Sequence, residues 1–223
     1  MIGSDIVSEI VNNYDVNKIH LAVLGSHSAL EIMDGAKDEE LKTVCICQKG
    51  RELPYLRFKR LADEIIVVDK FSDLVFKENQ DKLQETNSII VPHRAFTAYV
   101  GYDSIENELM LPILGNRSLF RAEERSYQKN QYSLLERAQI VHPKIYKNHS
   151  EIQGSAIVKI QESTRKLERA FFIVSSAQDY QEKSQDKIRR NVITKEDLEL
   201  AVIEEFVVGT YFNFNFFTSP LTP

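Results

Sequence analysis

The feature that most constrains this chain is the rhythm of its first half, where four short apolar runs rich in β-branched residues alternate with stretches of helical spacing. The runs are 18–25 (KIHLAVLG), 42–48 (KTVCICQ), 64–69 (EIIVVD) and 87–91 (NSIIV), the last stopped by Pro92. Successive residues of a strand point to opposite faces, so a run that is apolar at almost every position must be covered on both. Between the first two runs, 26–40 sets Leu30, Met33 and Ala36 on one helical side. The stretch 71–85 has helical character with a mixed face of Leu74, Val75, Lys82 and Leu83. This alternation predicts a parallel, doubly wound sheet with right-handed crossovers and with sites beyond the carboxyl ends of its strands.

The rhythm stops near Gly115-Asn116. A polar helical stretch is expected over 120–138. Short strands follow at 144–147, 156–161 and 170–175, then a charged helix at 177–190 and strands at 201–208 (AVIEEFVV) and 211–217. This second half reads as antiparallel α+β. Phe212, Phe214 and Phe216 fall on one face of the last run and are expected to need cover, from the helices of the second half, from further chain or from a partner.

Composition narrows the function classes. The chain has 223 residues and 43% hydrophobic content, enough for one large domain or two small ones. A net charge of −5 with 27% charged residues argues against general nucleic-acid binding, but it leaves room for a local cationic pocket. The amino-terminal MIGSDIVSEIVNNYDV has the character of neither a signal nor a transit peptide, and no apolar stretch has the length of a membrane span. Cys45 and Cys47 share one face of the second strand. A disulfide between such close neighbours is strained and no second pair completes a zinc site, so both read as reduced core residues typical of a cytoplasmic protein.

Five groups of residues could carry chemistry. Ser26, His27 and Ser28 follow the first strand, where Ser26 suits a helix N-cap and the N–H groups of the helix start favour an anion. The bland alternative is a capped helix with an incidental histidine. Pro92-His93-Arg94 ends the fourth strand and could face the same crevice to receive a phosphorylated ligand, or be a polar loop. Gly50-Arg51-Glu52 lies at the same sheet edge, most simply as a solvated turn. Lys144 and Lys159 sit on strands where an ammonium could reach a polyphosphate as a point charge, or serve edge-strand solubility. Glu204 and Glu205 lie inside an apolar strand, where a carboxylate is costly unless it is hydrogen-bonded or exposed. Alternation sends them to opposite faces, so one is expected at a cleft.

Taken together, these motifs resemble the archaeal-type formate-dependent AICAR (phosphoribosylaminoimidazolecarboxamide) ligase family of the ATP-grasp superfamily. The resemblance rests on Gly25-Ser26-His27-Ser28-Ala29-Leu30, Gly35-Ala36-Lys37, Gly50-Arg51-Glu52 with Tyr55 and Phe58, Asp69-Lys70-Phe71, Val91-Pro92-His93 and Ala98-Tyr99-Val100-Gly101. It continues through Leu114-Gly115-Asn116-Arg117, His142-Pro143-Lys144, Ile157-Val158-Lys159, Ile203-Glu204-Glu205-Phe206-Val207 and Phe216-Phe217-Thr218-Ser219-Pro220-Leu221. It implies an α/β fold: a Rossmann-like pre-ATP-grasp domain over 1–118, then the first part of an α+β ATP-grasp domain over 119–223, incomplete and shortened at its C-terminus.

The resemblance also implies chemistry. ATP would activate formate as formyl phosphate, and the 5-amino group of a phosphoribosyl aminoimidazole carboxamide would attack it, a step of purine biosynthesis. Ser26, His27, Ser28, His93 and Arg94 would bind this acceptor. Lys144 and Lys159 would meet ATP phosphates, and Glu204, Glu205 and Val207 would hold the nucleoside. Magnesium ligands are expected beyond Pro223. The implied partners are small molecules (ATP, formate or another carboxylate, a phosphoribosyl amine), with no nucleic acid or membrane, in the cytoplasm, and with homo-oligomerisation left open. Where the family carries Gly-Ser after Pro-His, this chain has Arg94-Ala95. Where it has a glycine-rich loop after the strand lysine, this chain has the glycine-free run 161–169. Two alternatives stand beside the formate reaction: a divergent paralogue joining another carboxylate and amine, and a non-catalytic nucleotide-binding module.

Overall fold

The computed structural model describes residues 2–123, 127–160 and 171–212. These form two compact units, one over 2–120 and one over 121–212.

The first unit is built on a four-stranded sheet of β1 (His20–Leu24), β2 (Lys42–Gln48), β3 (Glu64–Val68) and β4 (Ser88–Ile90) in the order β3-β2-β1-β4, with every pairing parallel. Around it lie α1 (Ser4–Asn12), α2 (Ala29–Asp38), α3 (Leu53–Arg57), α4 (Lys77–Glu85), α5 (Arg94–Val100) and α6 (Tyr102–Asn107). Alternate residues of the central strands enter two different cores, as the apolar runs require. Ala22, Leu24, Val44 and Ile46 pack with Phe71, Leu83, Phe96 and Ile105, whereas Val23, Cys45 and Cys47 pack with Ala29, Met33 and Tyr55. Thus α2 and α3 cover one face and α4 to α6 the other. The strand order reverses between β1 and β4, which places a topological switch point at their carboxyl ends.

Several expected elements change at their boundaries for visible reasons. The stretch 71–85 is two elements, a 3-10 turn at Phe71–Val75 and then α4, parted at Phe76 by an extended ψ of 137°. The loop expected at 92–94 opens α5 with His93 as its N-cap. The segment after α6 adds a parallel bridge between Ile90 and Ile113. Arg117, at the expected boundary, is buried and donates to the carbonyls of Ile105 (2.7 Å), Leu109 (2.8 Å) and Leu111 (3.0 Å), which ties that return segment down.

The second unit carries α7 (Gln131–Arg137), β5 (Ile145–Tyr146), β6 (Ala156–Lys159), β7 (Phe172–Val174), α8 (Ala177–Arg189), α9 (Lys195–Glu199) and β8 (Val202–Glu205). Its sheet is antiparallel with the order β5-β8-β6-β7. Ala156, Val158, Val174 and Ile203 point into a core with Tyr146, Phe172 and Ile193, against which Tyr180 and Ile188 of α8 and Leu198 of α9 pack. The single helical stretch expected over 120–138 is not formed. A 3-10 segment spans Arg117–Glu123, and α7 starts afresh where the Asn130 side chain accepts from the N–H groups of Tyr132 and Ser133. The expected strand 201–208 pairs only as β8. The glycine-free run 161–169 and most of the expected last strand, from 213 on, lie outside the described residues. No helix among the described residues is long and apolar enough to cross a membrane.

Candidate functional site

Each sheet positions one cationic centre. In the first unit the centre lies at the carboxyl ends of the strands. Gly25 follows β1 and has to be glycine. A Cβ there would stand 2.9 Å from the ring of Tyr55, 3.0 Å from Cys47 Sγ and 3.2 Å from Cys45 Sγ. The chain then turns tightly, with Ser26 N–H donating to Leu24 O (2.7 Å) and Ala29 N–H to Ser26 O (2.8 Å). The helix therefore begins at Ala29, and its N-cap is Ser28 rather than the expected Ser26. Ser28 makes no side-chain cap bond, because its hydroxyl lies 2.8 Å from His27 Nδ1. His27 itself is exposed.

His93 is committed on both ring nitrogens. Nδ1 accepts from Ala95 N–H (3.2 Å), which leaves the proton on Nε2 to be donated to Leu24 O (3.0 Å). The ring thus caps α5 and fastens it to the end of β1. Burial, and less so the nearby His27, holds the His93 pKa below its ordinary value despite the opposing bond to Leu24. Its contribution is to hold the start of α5 against the end of β1. Arg94, next in the chain, is exposed.

Sequence reasoning read Arg51 most simply as part of a solvated turn, but the fold gives it partners. Arg51 follows Gly50, whose φ of +86° turns the chain after β2. The guanidinium carbon of Arg51 lies 5.8 Å from the centroid of the Phe71 ring and 5.6 Å from that of Tyr99. Those two rings are themselves in contact, 5.0 Å apart at 35°. Both distances are within cation–π range. Polar contact from Arg51 first, and from Ser26 after it, keeps the Tyr99 phenol below its usual pKa. The loops after β1 and β2 leave the same end of the sheet, since the two strands pair in parallel, and Arg51 reaches the Tyr99 ring carried by α5. The motif had displayed Arg51 and Tyr99 separately, but nothing in their spacing showed that the fold joins them.

In the second unit the centre is the face of the antiparallel sheet turned away from its core. Ile157 pairs with Glu204 and Lys159 with Val202, so Lys159 and Glu204 are diagonal neighbours on one face. They form an ion pair in which Glu204 is 4% exposed. The other Glu204 oxygen, Oε2, accepts from the Tyr132 hydroxyl of α7. The Tyr132 ring lies 5.9 Å from that of His142, whose Nε2 is 3.7 Å from Glu136. A buried carboxylate is tolerable only with such partners.

Lys144 takes a different place. Its Nζ lies 5.1 Å from the Tyr146 ring centroid, and its backbone exchanges bonds with Glu205: Glu205 N–H to Lys144 O (2.8 Å) and Lys144 N–H to Glu205 Oε2 (3.3 Å). Alternation along β5 puts Ile145 beside Glu204 and sends Lys144 to the other side, so the contacts pair Lys159 with Glu204 and Lys144 with Glu205. Glu205 is exposed. Beyond β8, Phe206 N–H is taken by Ser155 O (2.9 Å), and Val207 is 54% exposed. Among the described residues, no three His, Cys, Asp or Glu side chains come together as a metal-binding group.

Residues 21–146 match the family described as "Protein of unknown function (DUF1246)", over more than half of the chain. The chain belongs to the DUF1246 family. Residues 179–223 match a second, "Domain of unknown function (DUF1297)". Two curated relatives carry the name 5-formaminoimidazole-4-carboxamide-1-(beta)-D-ribofuranosyl 5'-monophosphate synthetase. The one from Methanocaldococcus jannaschii is 45% identical over 222 residues, and the one from Methanopyrus kandleri is 44% identical over 220. They cover 99% and 98% of this chain, which spans 60% of the length of each. The formate-dependent ligase family that the sequence resembles is the one whose activity these two relatives' printed name describes.

Solved structures show the fold. The IMP biosynthesis protein PurP from Thermococcus kodakaraensis has a TM-score of 0.55 at 21% identity, covering 85% of this DUF1246 chain and 50% of its own. An ADP complex of N5-carboxyaminoimidazole ribonucleotide synthetase has a TM-score of 0.55 at 14% identity, covering 85% and 47%. The expected order, a parallel α/β sheet followed by an antiparallel sheet in the ATP-grasp manner, is thus the one observed.

Proposed function

We propose that this chain carries the acceptor side and part of the nucleotide side of an ATP-dependent carbon–nitrogen ligase that formylates an aminoimidazole carboxamide ribonucleotide. The observation that carries the reading is the 45% identity across 99% of the chain to a relative named as that synthetase. In this reading 1–118 is the pre-ATP-grasp domain and 119–223 the first part of the ATP-grasp domain, in a cytoplasmic enzyme of purine biosynthesis.

The chemistry divides into two displacements. A formate oxygen attacks the γ-phosphorus of ATP, and ADP leaves with the electrons of the broken bond. The 5-amino group then attacks the formyl carbon, and inorganic phosphate leaves as the amine loses a proton. Little covalent work falls to the protein, which positions the reactants and neutralises phosphate charge. Lys159, held by Glu204, offers the nucleotide a point charge at a fixed place, and Tyr132 fixes Glu204 in turn. Lys144, on the other side of the sheet from Lys159, would join Glu205 and the exposed backbone at Val207 at the nucleoside end rather than meet the phosphates as the resemblance implies. Ser26, His27, Ser28 and Arg94 would bind the acceptor, with His93 shaping their crevice. Magnesium, when bound with ATP, would help to neutralise phosphate charge. The described residues supply no cluster fitted to it, so no step here passes through a metal.

Arg94-Ala95 supports a second reading, a paralogue that joins a different carboxylate and amine, because a cation stands where the resembled family carries glycine and an alanine where it carries the hydroxyl of serine. The test is ADP release, and product mass, with ATP, the ribonucleotide and formate present together. The formylated ribonucleotide is expected only when all three are supplied. ADP release with another carboxylate but not with formate supports the paralogue. ATP binding without turnover on any carboxylate sinks the ligase reading in favour of a nucleotide-binding module.

A further inference from the structure

Arg51 is exposed yet fixed. Its guanidinium lies within 6 Å of two aromatic centroids that are in contact with each other. Among the described residues it makes no ion pair with a carboxylate, although Glu52 is next to it, because Glu52 Oε1 turns back to accept from Gly50 N–H (2.9 Å). An arginine on a solvated turn would sample many rotamers. This one is preorganised, so little further freedom is lost when it forms hydrogen bonds to an anion. The guanidinium fork suits phosphate oxygens bidentately. Arg51 follows β2 and Ser26 follows β1, and these strands pair in parallel, so the site lies at the same strand ends as the exposed His27.

Resting on the acceptor reading of this crevice, we infer that the Arg51–Phe71–Tyr99 cradle is the receptor for the 5'-phosphate of the acceptor ribonucleotide. Arg51 contacts the phosphate, Phe71 and Tyr99 position the guanidinium, and Ser26 with His27 lies towards the sugar and base. Ligands without a phosphomonoester would then bind weakly for want of a single group.

The test is calorimetry on the whole chain with three probes: aminoimidazole carboxamide ribonucleotide, its dephosphorylated nucleoside, and inorganic phosphate. Arg51→Gln is expected to weaken the ribonucleotide on the order of tenfold to a hundredfold and to leave the nucleoside unchanged. Tyr99→Phe keeps the ring and should cost only a few-fold, whereas Tyr99→Ala should approach the loss seen for Arg51→Gln. A purely structural role for Tyr99 would instead lower ribonucleotide and nucleoside affinity together. Circular dichroism checks that each variant is folded. An unchanged ribonucleotide-to-nucleoside affinity ratio in folded Arg51→Gln overturns the inference, as does a wild-type chain that binds neither the ribonucleotide nor phosphate. Arg51-dependent binding of inorganic phosphate without binding of the ribonucleotide would keep the anion receptor and remove the acceptor reading instead.

Discussion

The two sheets of this protein present positive charge in opposite ways. On the parallel sheet, Arg51 stays in solvent and is fixed by the faces of two aromatic rings, and among the described residues it forms no ion pair with a carboxylate. On the antiparallel sheet, Lys159 is drawn against a nearly buried carboxylate, and that carboxylate is held by a tyrosine from another helix. The first arrangement carries a small desolvation cost and keeps a full positive charge for a ligand. The second takes two charges out of water and depends on each partner for the other's stability. A cation can therefore be preorganised cheaply at a strand end or expensively within a sheet face, and the cost should appear in stability.

The largest effect expected from this comparison is at the buried pair. Lys159→Met strands Glu204, so the second unit should lose about 3–5 kcal/mol of stability in urea unfolding. Adding Glu204→Gln should restore most of it, since the amide can still accept from Tyr132. If the single variant is as stable as the parent, Glu204 is solvated and the contrast between the sheets is lost. Next comes Gly25→Ala, which pushes a methyl into Tyr55 and both cysteines and should cost about 1–3 kcal/mol. A neutral result would mean that the backbone below the strand ends yields easily. Third, His93 is held neutral by burial, with a folded-state pKa below its unfolded value of 6.5. Its stabilisation is therefore complete above 6.5 and is lost as pH falls from there through the lower folded value. Stability of the first unit should decline over that window, and His93→Asn, which can still cap α5, should flatten the decline. The smallest effect is at Arg51, where Arg51→Gln should leave the unfolding midpoint where it was, because an exposed side chain outside the cores holds nothing together.

The parallel sheet was legible because burial on both faces writes itself into the sequence as unbroken apolar runs. Cys45 and Cys47 entering one core while Val44 and Ile46 enter the other is that signal made physical. The antiparallel half was legible in outline, although α9 and the shortness of β8 were not, since five-residue helices and strand ends depend on caps such as Thr194 and Asp197 more than on periodicity. The candidate residues were visible as types, but their partners were not. One of Glu204 and Glu205 was expected at a cleft, and Glu204 is engaged by Lys159 and Tyr132. His93 looked like a ligand donor, and the fold spends Nδ1 on capping α5 and Nε2 on Leu24 O. Arg51 looked like a solvated turn because Phe71 and Tyr99 reach it from elements 20 and 48 residues further along. Arg117 follows the Gly115-Asn116 boundary expected from the sequence, and nothing in its spacing showed that it is a buried cross-brace for three carbonyls. Each of these contacts is made in tertiary space, where spacing along the chain has no vote.

The central claim is that the two cationic centres serve different ligands, and calorimetry can cross them directly. ATP and aminoimidazole carboxamide ribonucleotide would each be titrated into folded Arg51→Gln and into the compensated Lys159→Met/Glu204→Gln variant. Loss of the ribonucleotide alone in the first and of ATP alone in the second is the predicted result. Both variants losing the same ligand, or neither losing any, would contradict it.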